Sequence, residues 1–172
     1  MVSKEVVIRL VIIGDYNCGK TCILKRFANT EFRENLSPTI GVDYENINKK
    51  TFNEDGTINS YKMHIWDTGG HERFQALTPS YYRNTASALV IYDVTDRQSY
   101  YNCKDWINKY KYISDNNNNI FIIANKIDLE NERLVTTEEG ISIARDNNCE
   151  YIECSAKKNI NIEIILDKII NN

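Results

Sequence analysis

The sequence predicts one α/β domain with a mostly parallel six-stranded sheet, one antiparallel hairpin, and helices on both faces. Three observations carry this prediction. Val6 to Ile13, Ala88 to Val94 and Ile120 to Ala124 are short β-branched apolar runs, the mark of strands buried on both faces. Segments with apolar residues at helical spacing alternate with them. Tyr44 to Phe52 and Ile58 to Trp66 flank Glu54-Asp55-Gly56, a hairpin turn signal.

In chain order, Val6 to Ile13 stops at Gly14 as a first buried strand. Thr21 to Ala28 sets Ile23, Leu24 and Phe27 at helical spacing, and a polar stretch runs on to Pro38. The hairpin follows; its second strand is expected to offer an edge to partners. After the strand Ala88 to Val94, the segment Ser99 to Asp115 carries Trp106, Tyr110 and Ile113 on one helical stripe. Ile120 to Ala124 is the next strand. Thr136-x-x-Glu139 is a capping box opening a helix to Asn147. Tyr151 to Cys154 is a short strand and Ile160 to Ile170 a closing helix. In such a sheet ligands sit at the carboxyl ends of the strands. The loops after Ile13, Trp66, Val94, Ala124 and Cys154 are therefore expected on one rim.

The chain has 172 residues, enough for one domain that buries about 70% of its unfolded surface without staples. Its net charge of −3 argues against non-specific nucleic-acid binding, which runs on surplus Lys and Arg. No apolar run approaches the roughly 20 residues of a membrane helix, and the first residues lack a signal-peptide cleavage pattern. Cys18, Cys22, Cys103, Cys149 and Cys154 are odd in number, and no two have CxxC spacing. With only His64 and His71 to join them, zinc is not expected. Five reduced thiols in a cytosolic protein is the reading.

Gly14-Asp15-Tyr16-Asn17-Cys18-Gly19-Lys20-Thr21 fits G-x-x-x-x-G-K-[ST] between a strand and a helix. Backbone N–H groups from Asp15 through Cys22 would wrap phosphate oxygens at the helix N-terminus. Lys20 would bridge the outer phosphates, and the Thr21 hydroxyl would ligate Mg²⁺. The motif indicates a nucleoside triphosphate without naming the base, so an ATPase or kinase stays open on it alone. Asn125-Lys126-Ile127-Asp128 follows a buried strand. The Asp128 carboxylate can accept from guanine N1–H and the exocyclic amine together, whereas adenine presents its own acceptor there. Asn125 could tie this loop to the phosphate loop, and Lys126 could lie over the base. Ser155-Ala156-Lys157 follows the last strand, and the Ala156 N–H could donate to guanine O6. Asp67 could hold Mg²⁺ through water, the Gly70 N–H could reach the terminal phosphate, and Thr39 is a candidate second hydroxyl ligand.

These residues resemble the Ras superfamily of small GTPases, and within it the Rab branch. Ile40-Gly41-Val42-Asp43-Tyr44 resembles IGVDF, and Trp66-Asp67-Thr68-Gly69-Gly70-His71-Glu72-Arg73-Phe74 resembles WDTAGQERF. Leu77-Thr78-Pro79-Ser80-Tyr81-Tyr82-Arg83 resembles the Rab segment that follows. The resemblance covers nearly all of residues 6 to 170. It implies a three-layer P-loop small G-protein fold spanning residues 1–172 as one G domain. It also implies GTP/GDP and Mg²⁺ as ligands and slow hydrolysis that controls vesicle traffic. Two switch loops, Phe32 to Asp43 and Asp67 to Asn84, would answer to the γ-phosphate. Phe32 matches the aromatic at the guanine edge. Tyr44, Trp66 and Tyr81 match the aromatic triad that meets effectors, with Ile40, Gly41 and Phe74 in the same interface; core packing is the alternative, above all for Tyr81. The implied partners are effectors, an exchange factor, an activating protein and a GDP-dissociation inhibitor. The implied protein is a monomer on the cytosolic face of an endomembrane, held by a prenylated tail that this chain lacks.

Four departures from that pattern stand out. His71 occupies the place of the Gln that orients the attacking water, which implies either impaired hydrolysis and a GTP-bound scaffold or a histidine that positions water itself. Lys20 and Gly70 complete the catalytic set. Asn17 replaces a phosphate-loop glycine and tolerates left-handed backbone. Gly69 replaces Ala and loosens the second switch. The hairpin is longer than in typical Rabs.

Overall fold

β1 (Lys4–Gly14) is paired in parallel on both sides, with β3 (Ile58–Thr68) and with β4 (Ser87–Asp93). The computed structural model describes residues 4–33, 36–52, 57–69, 79–114 and 118–171. β5 (Asn119–Asn125) and β6 (Glu150–Glu153) continue the parallel sheet. β2 (Val42–Phe52) joins β3 antiparallel, giving the order β2-β3-β1-β4-β5-β6. This is the expected mostly parallel six-stranded sheet. One expectation is corrected: the edge belongs to β2, the first hairpin strand, while β3 is enclosed between β2 and β1. Pairing of β3 with β1 over nine residue pairs, Lys4–Asn59 to Ile12–Asp67, puts it inside. The hairpin's turn signal lies outside the described residues.

Alternation along β1 divides the core in two. Ile8, Leu10 and Ile12 face a layer built from α1 (Lys20–Phe27) and α5 (Ile162–Asn171), which supply Ile23, Leu24, Phe27, Ile165 and Ile169. Val11 and Ile13 face the opposite layer of α2 (Pro79–Tyr82), α3 (Arg97–Ile113) and α4 (Thr137–Asp146). Trp106 and Tyr110 from the expected α3 stripe are buried there, with Ile113 packed alongside. Asp96 caps α3 by accepting from the Gln98 N–H. The capping box at Thr136 and Glu139 forms as expected, with Thr136 Oγ1 and the Glu139 carboxylate each accepting the other's backbone N–H. Two short elements had no sequence signal: α2 and a 3₁₀ turn at Glu130–Glu132. The five cysteines are all free thiols. No helix among the described residues is long and apolar enough to cross a membrane.

Candidate functional site

The turn that ends β1 needs glycine for close approach. A Cβ on Gly14 would lie 2.2 Å from the Ile91 carbonyl oxygen of β4. The loop then turns through Asn17 at φ 64° and Gly19 at φ 88°, so Asn17 does adopt the left-handed backbone expected of it. Lys20 opens α1 and is buried, its ammonium donating to the Asp15 carbonyl at 2.6 Å. Burial lowers its pKa from the usual lysine range.

Three side chains expected to serve one metal meet at the end of β1 and β3. Thr21 Oγ1 donates to Asp67 Oδ2 at 2.5 Å and lies 2.9 Å from Thr39 Oγ1, which reaches the same carboxylate oxygen at 3.5 Å. Asp67 is fully buried, and no donor among the described residues reaches its Oδ1. Burial raises its pKa from 3.8 to about 6. A buried carboxylate with an unsatisfied oxygen beside two hydroxyls is an all-oxygen donor set that fits a hard divalent cation such as Mg²⁺. Thr39 is held near by a backbone bond in which the Gly69 N–H donates to the Gly41 carbonyl at 2.8 Å.

The loop after β5 reaches the phosphate loop from the other side. Asn125 Nδ2 donates to the Cys18 carbonyl at 2.9 Å, the tie expected of it. Lys126 sits at φ 68° with its ammonium 2.6 Å from Asp93 Oδ2 at the end of β4. Asp128 Oδ1 accepts from Ser155 Oγ at 2.5 Å, which orients the carboxylate. The Ala156 N–H, expected to face a base, here donates to Asn125 Oδ1 at 3.1 Å. Arg26 of α1 donates to the carbonyls of Ala156, at 2.7 Å, and Lys157, at 3.0 Å, and its guanidinium lies 5.8 Å from the centroid of the half-buried Phe32 ring. The carboxyl ends of β1, β3, β4, β5 and β6 thus meet on one rim. Tyr16 is exposed and Cys22 half-buried on that rim.

Across the β2–β3 pair, Tyr44 and Trp66 face each other with ring centroids 5.6 Å apart. Tyr44 is exposed and its hydroxyl bonds His64 Nδ1; Ile40 is 84% exposed. Trp66 is half-buried against the α3-side core, and Tyr81 is half-buried in α2. Gly70, His71 and Phe74 lie outside the described residues.

A family model described as the Ras family matches residues 9–172. The chain belongs to the Ras family. Small GTPases of this family bind GTP and GDP, typically with Mg²⁺, and hydrolyse GTP. Among curated proteins, Ras-related protein RabC of Dictyostelium discoideum is 32% identical over 170 residues, covering 99% of this chain and 85% of that one. Ras-related protein RIC1 of Oryza sativa subsp. japonica is 40% identical over 155 residues, covering 90% and 74%. GTP-binding protein ypt2 of Schizosaccharomyces pombe is 37% identical over 161 residues, covering 94% and 78%. These names place this Ras-family chain with the Rab and Ypt proteins. Sequence reasoning missed Asp93, Arg26, Asn102 and Trp106, all of which hold parts of this Ras-family site. Their partners come from elements far away in the chain, and none falls in a motif.

Proposed function

We propose that this chain is a Rab-like switch that binds GTP or GDP with Mg²⁺, hydrolyses GTP slowly, and recruits effectors in membrane traffic. Support comes above all from one observation: Thr21, Thr39 and Asp67 converge beside a phosphate loop that Asn125 ties to the loop carrying Asp128. Amides of residues 15–22 would cradle the phosphates and Lys20 would leave the Asp15 carbonyl for their outer oxygens. Asp128 would read the guanine edge, with Lys126 and Phe32 against the base and ribose and the Ser155-Ala156-Lys157 loop behind it. Mg²⁺ held by Thr21 and Thr39, with Asp67 acting through water, would neutralise charge on the outer phosphates. Ile40, Gly41, Tyr44, Trp66, Phe74 and Tyr81 would form the effector face. Exchange factor, activating protein and GDP-dissociation inhibitor are the other partners of this reading, for a monomer anchored through a lipidated tail.

The test is the nucleotide released when freshly purified protein is denatured and the supernatant is run on an ion-exchange column. GDP or GTP is expected; an adenine nucleotide, or none, overturns the reading. Asp128→Asn is expected to shift preference from guanine toward xanthine nucleotides. Position 71 motivates the second reading, a GTP-loaded scaffold. Single-turnover hydrolysis by His71→Gln is expected to exceed the native rate by about tenfold or more, since a water-orienting Gln acts in the transition state. A slower His71→Gln means His71 is the working group, and the scaffold reading fails.

A further inference from the structure

The phosphate loop contains an acid. A carboxylate beside a cradle for phosphates opposes binding by its charge, so Asp15 requires another account. Both of its oxygens are engaged by α3: Oδ2 accepts from Asn102 Nδ2 at 2.6 Å, and Oδ1 accepts from Trp106 Nε1 at 2.7 Å. Asn102 and Trp106 are one helical turn apart, so their donors project side by side. Gln98, one turn earlier, donates to Asn102 Oδ1 at 2.9 Å, which leaves the Asn102 amide N–H groups for Asp15. Gln98, Asn102 and Trp106 thus form one stripe of α3 aimed at one carboxylate. The Asp15 carbonyl meanwhile accepts the buried Lys20 ammonium. Asp15 therefore joins α3, through its carboxylate, to the backbone of the phosphate loop, and its carbonyl holds Lys20 until phosphates take that ammonium. Each bond to the carboxylate is charge-assisted and short.

We propose that Asp15, Asn102 and Trp106 form a clamp in which α3 sets the shape of the phosphate loop and thereby the rate of nucleotide release. The inference rests on the guanine-nucleotide reading. Asp15 here is a positioning residue: its carboxylate faces α3 while its backbone faces the cradle. Through Tyr110, the next turn of α3, the same helix packs on Tyr82 of α2 with ring centroids 5.5 Å apart. The clamp thus lies on the helix that also touches the end of the expected second switch loop.

The experiment measures release of a fluorescent GDP analogue from the full chain with Mg²⁺ present, with thermal melting followed alongside. Asn102→Asp sets two carboxylates face to face and is expected to speed release by about tenfold or more, the effect of losing one charge-assisted bond. Asp15→Asn combined with Asn102→Asp restores a donor and an acceptor in exchanged places, keeps the Gln98 bond, and is expected to return release to within about threefold of native. A merely structural role does not predict rescue by the exchange. Should Asn102→Asp fail to fold, Asn102→Ala carries the same expectation in milder form, and unchanged release in it overturns the clamp. Unchanged release in folded Asn102→Asp, or no rescue in the folded double variant, also overturns it. Native protein that does not bind the analogue overturns the nucleotide reading itself, and the clamp's role with it.

Discussion

Asn125 donates from its side-chain amide to the Cys18 carbonyl at 2.9 Å, joining two loops 107 residues apart in sequence. The bond constrains its neighbour: a Cβ on Gly19 would stand 2.3 Å from Asn125 Nδ2, and Gly19 is already at φ 88°. Asn125 also accepts from the Ala156 N–H and the Cys154 thiol. Asn125→Ala therefore strands a buried carbonyl and a buried N–H, at roughly 1–3 kcal/mol each. We predict a loss of about 2 kcal/mol or more in urea denaturation and GDP release at least tenfold faster. Gly19→Ala is predicted to show the faster release as well. Native release rates in both variants would contradict this account of the tie.

What the sequence made legible is what local chemistry decides. The capping box at Thr136 and Glu139, the hairpin strands and the phosphate loop each carry their signal within a few residues. Sheet order is not of that kind. A hairpin's two strands look alike in sequence, and whether β2 or β3 lies inside depends on which one pairs with β1. The four-residue α2 is too short to show a period. The candidate phosphate, metal and base residues stand in motifs, but the residues that hold them do not. Trp106 reads as plain core, and its bond to Asp15 crosses 91 positions. Lys126 reads as a base-covering residue, and only the folded chain brings Asp93 to its ammonium.

Asp67 makes the metal-free protein pH-sensitive. Burial raises its pKa from 3.8 to about 6, against the lowering effects of Thr21 and Lys20. The folded state therefore binds this proton more tightly than the unfolded chain. Between about pH 4 and 6 the fold carries the extra proton, so stability falls as pH rises through that window and levels off above it. The cost above pH 6 is on the order of 3 kcal/mol. We predict that, with EDTA and no nucleotide, Asp67→Asn melts higher than native at pH 7 and loses the slope between pH 4 and 6. In native protein with GDP, stabilisation by added Mg²⁺ is predicted to grow as pH rises through 6 and to be absent in Asp67→Asn. A native melting temperature that rises from pH 4 to 6 without metal would argue against the assignment.

Gly140 lies inside α4, where Ala normally gains about 1 kcal/mol of helix propensity. Here a Cβ would sit 2.4 Å from the Tyr151 ring. That ring cannot step aside freely: its hydroxyl bonds Glu153 Oε1 at 2.9 Å and lies 3.2 Å from the Tyr92 hydroxyl. Overpacking of this kind costs about 1–3 kcal/mol, so the clash outweighs the propensity. We predict that Gly140→Ala lowers stability by about 1 kcal/mol. In a Tyr151→Val background, which removes the ring, the same change is predicted to be neutral or stabilising. An additive double variant would show that the ring is not the obstacle.

Arg26 of α1 holds the loop after β6. Its Nε and Nη2 donate to the successive carbonyls of Ala156 and Lys157, and its guanidinium lies over Phe32. One planar group thus joins α1, the first switch segment and the loop after β6. A lysine ammonium can reach one carbonyl but cannot span two in a fixed fork while stacking on a ring. Arg26→Ala is predicted to speed GDP release by about five- to tenfold, the loss of one to two net hydrogen bonds. Arg26→Lys is predicted to recover less than half of that effect in free energy, although it keeps the charge. Raising salt from 50 to 500 mM is predicted to change the native rate little, because the contacts are hydrogen bonds to carbonyls and not exposed ion pairs. Full recovery by lysine would mean that charge, and not the fork, is what Arg26 supplies.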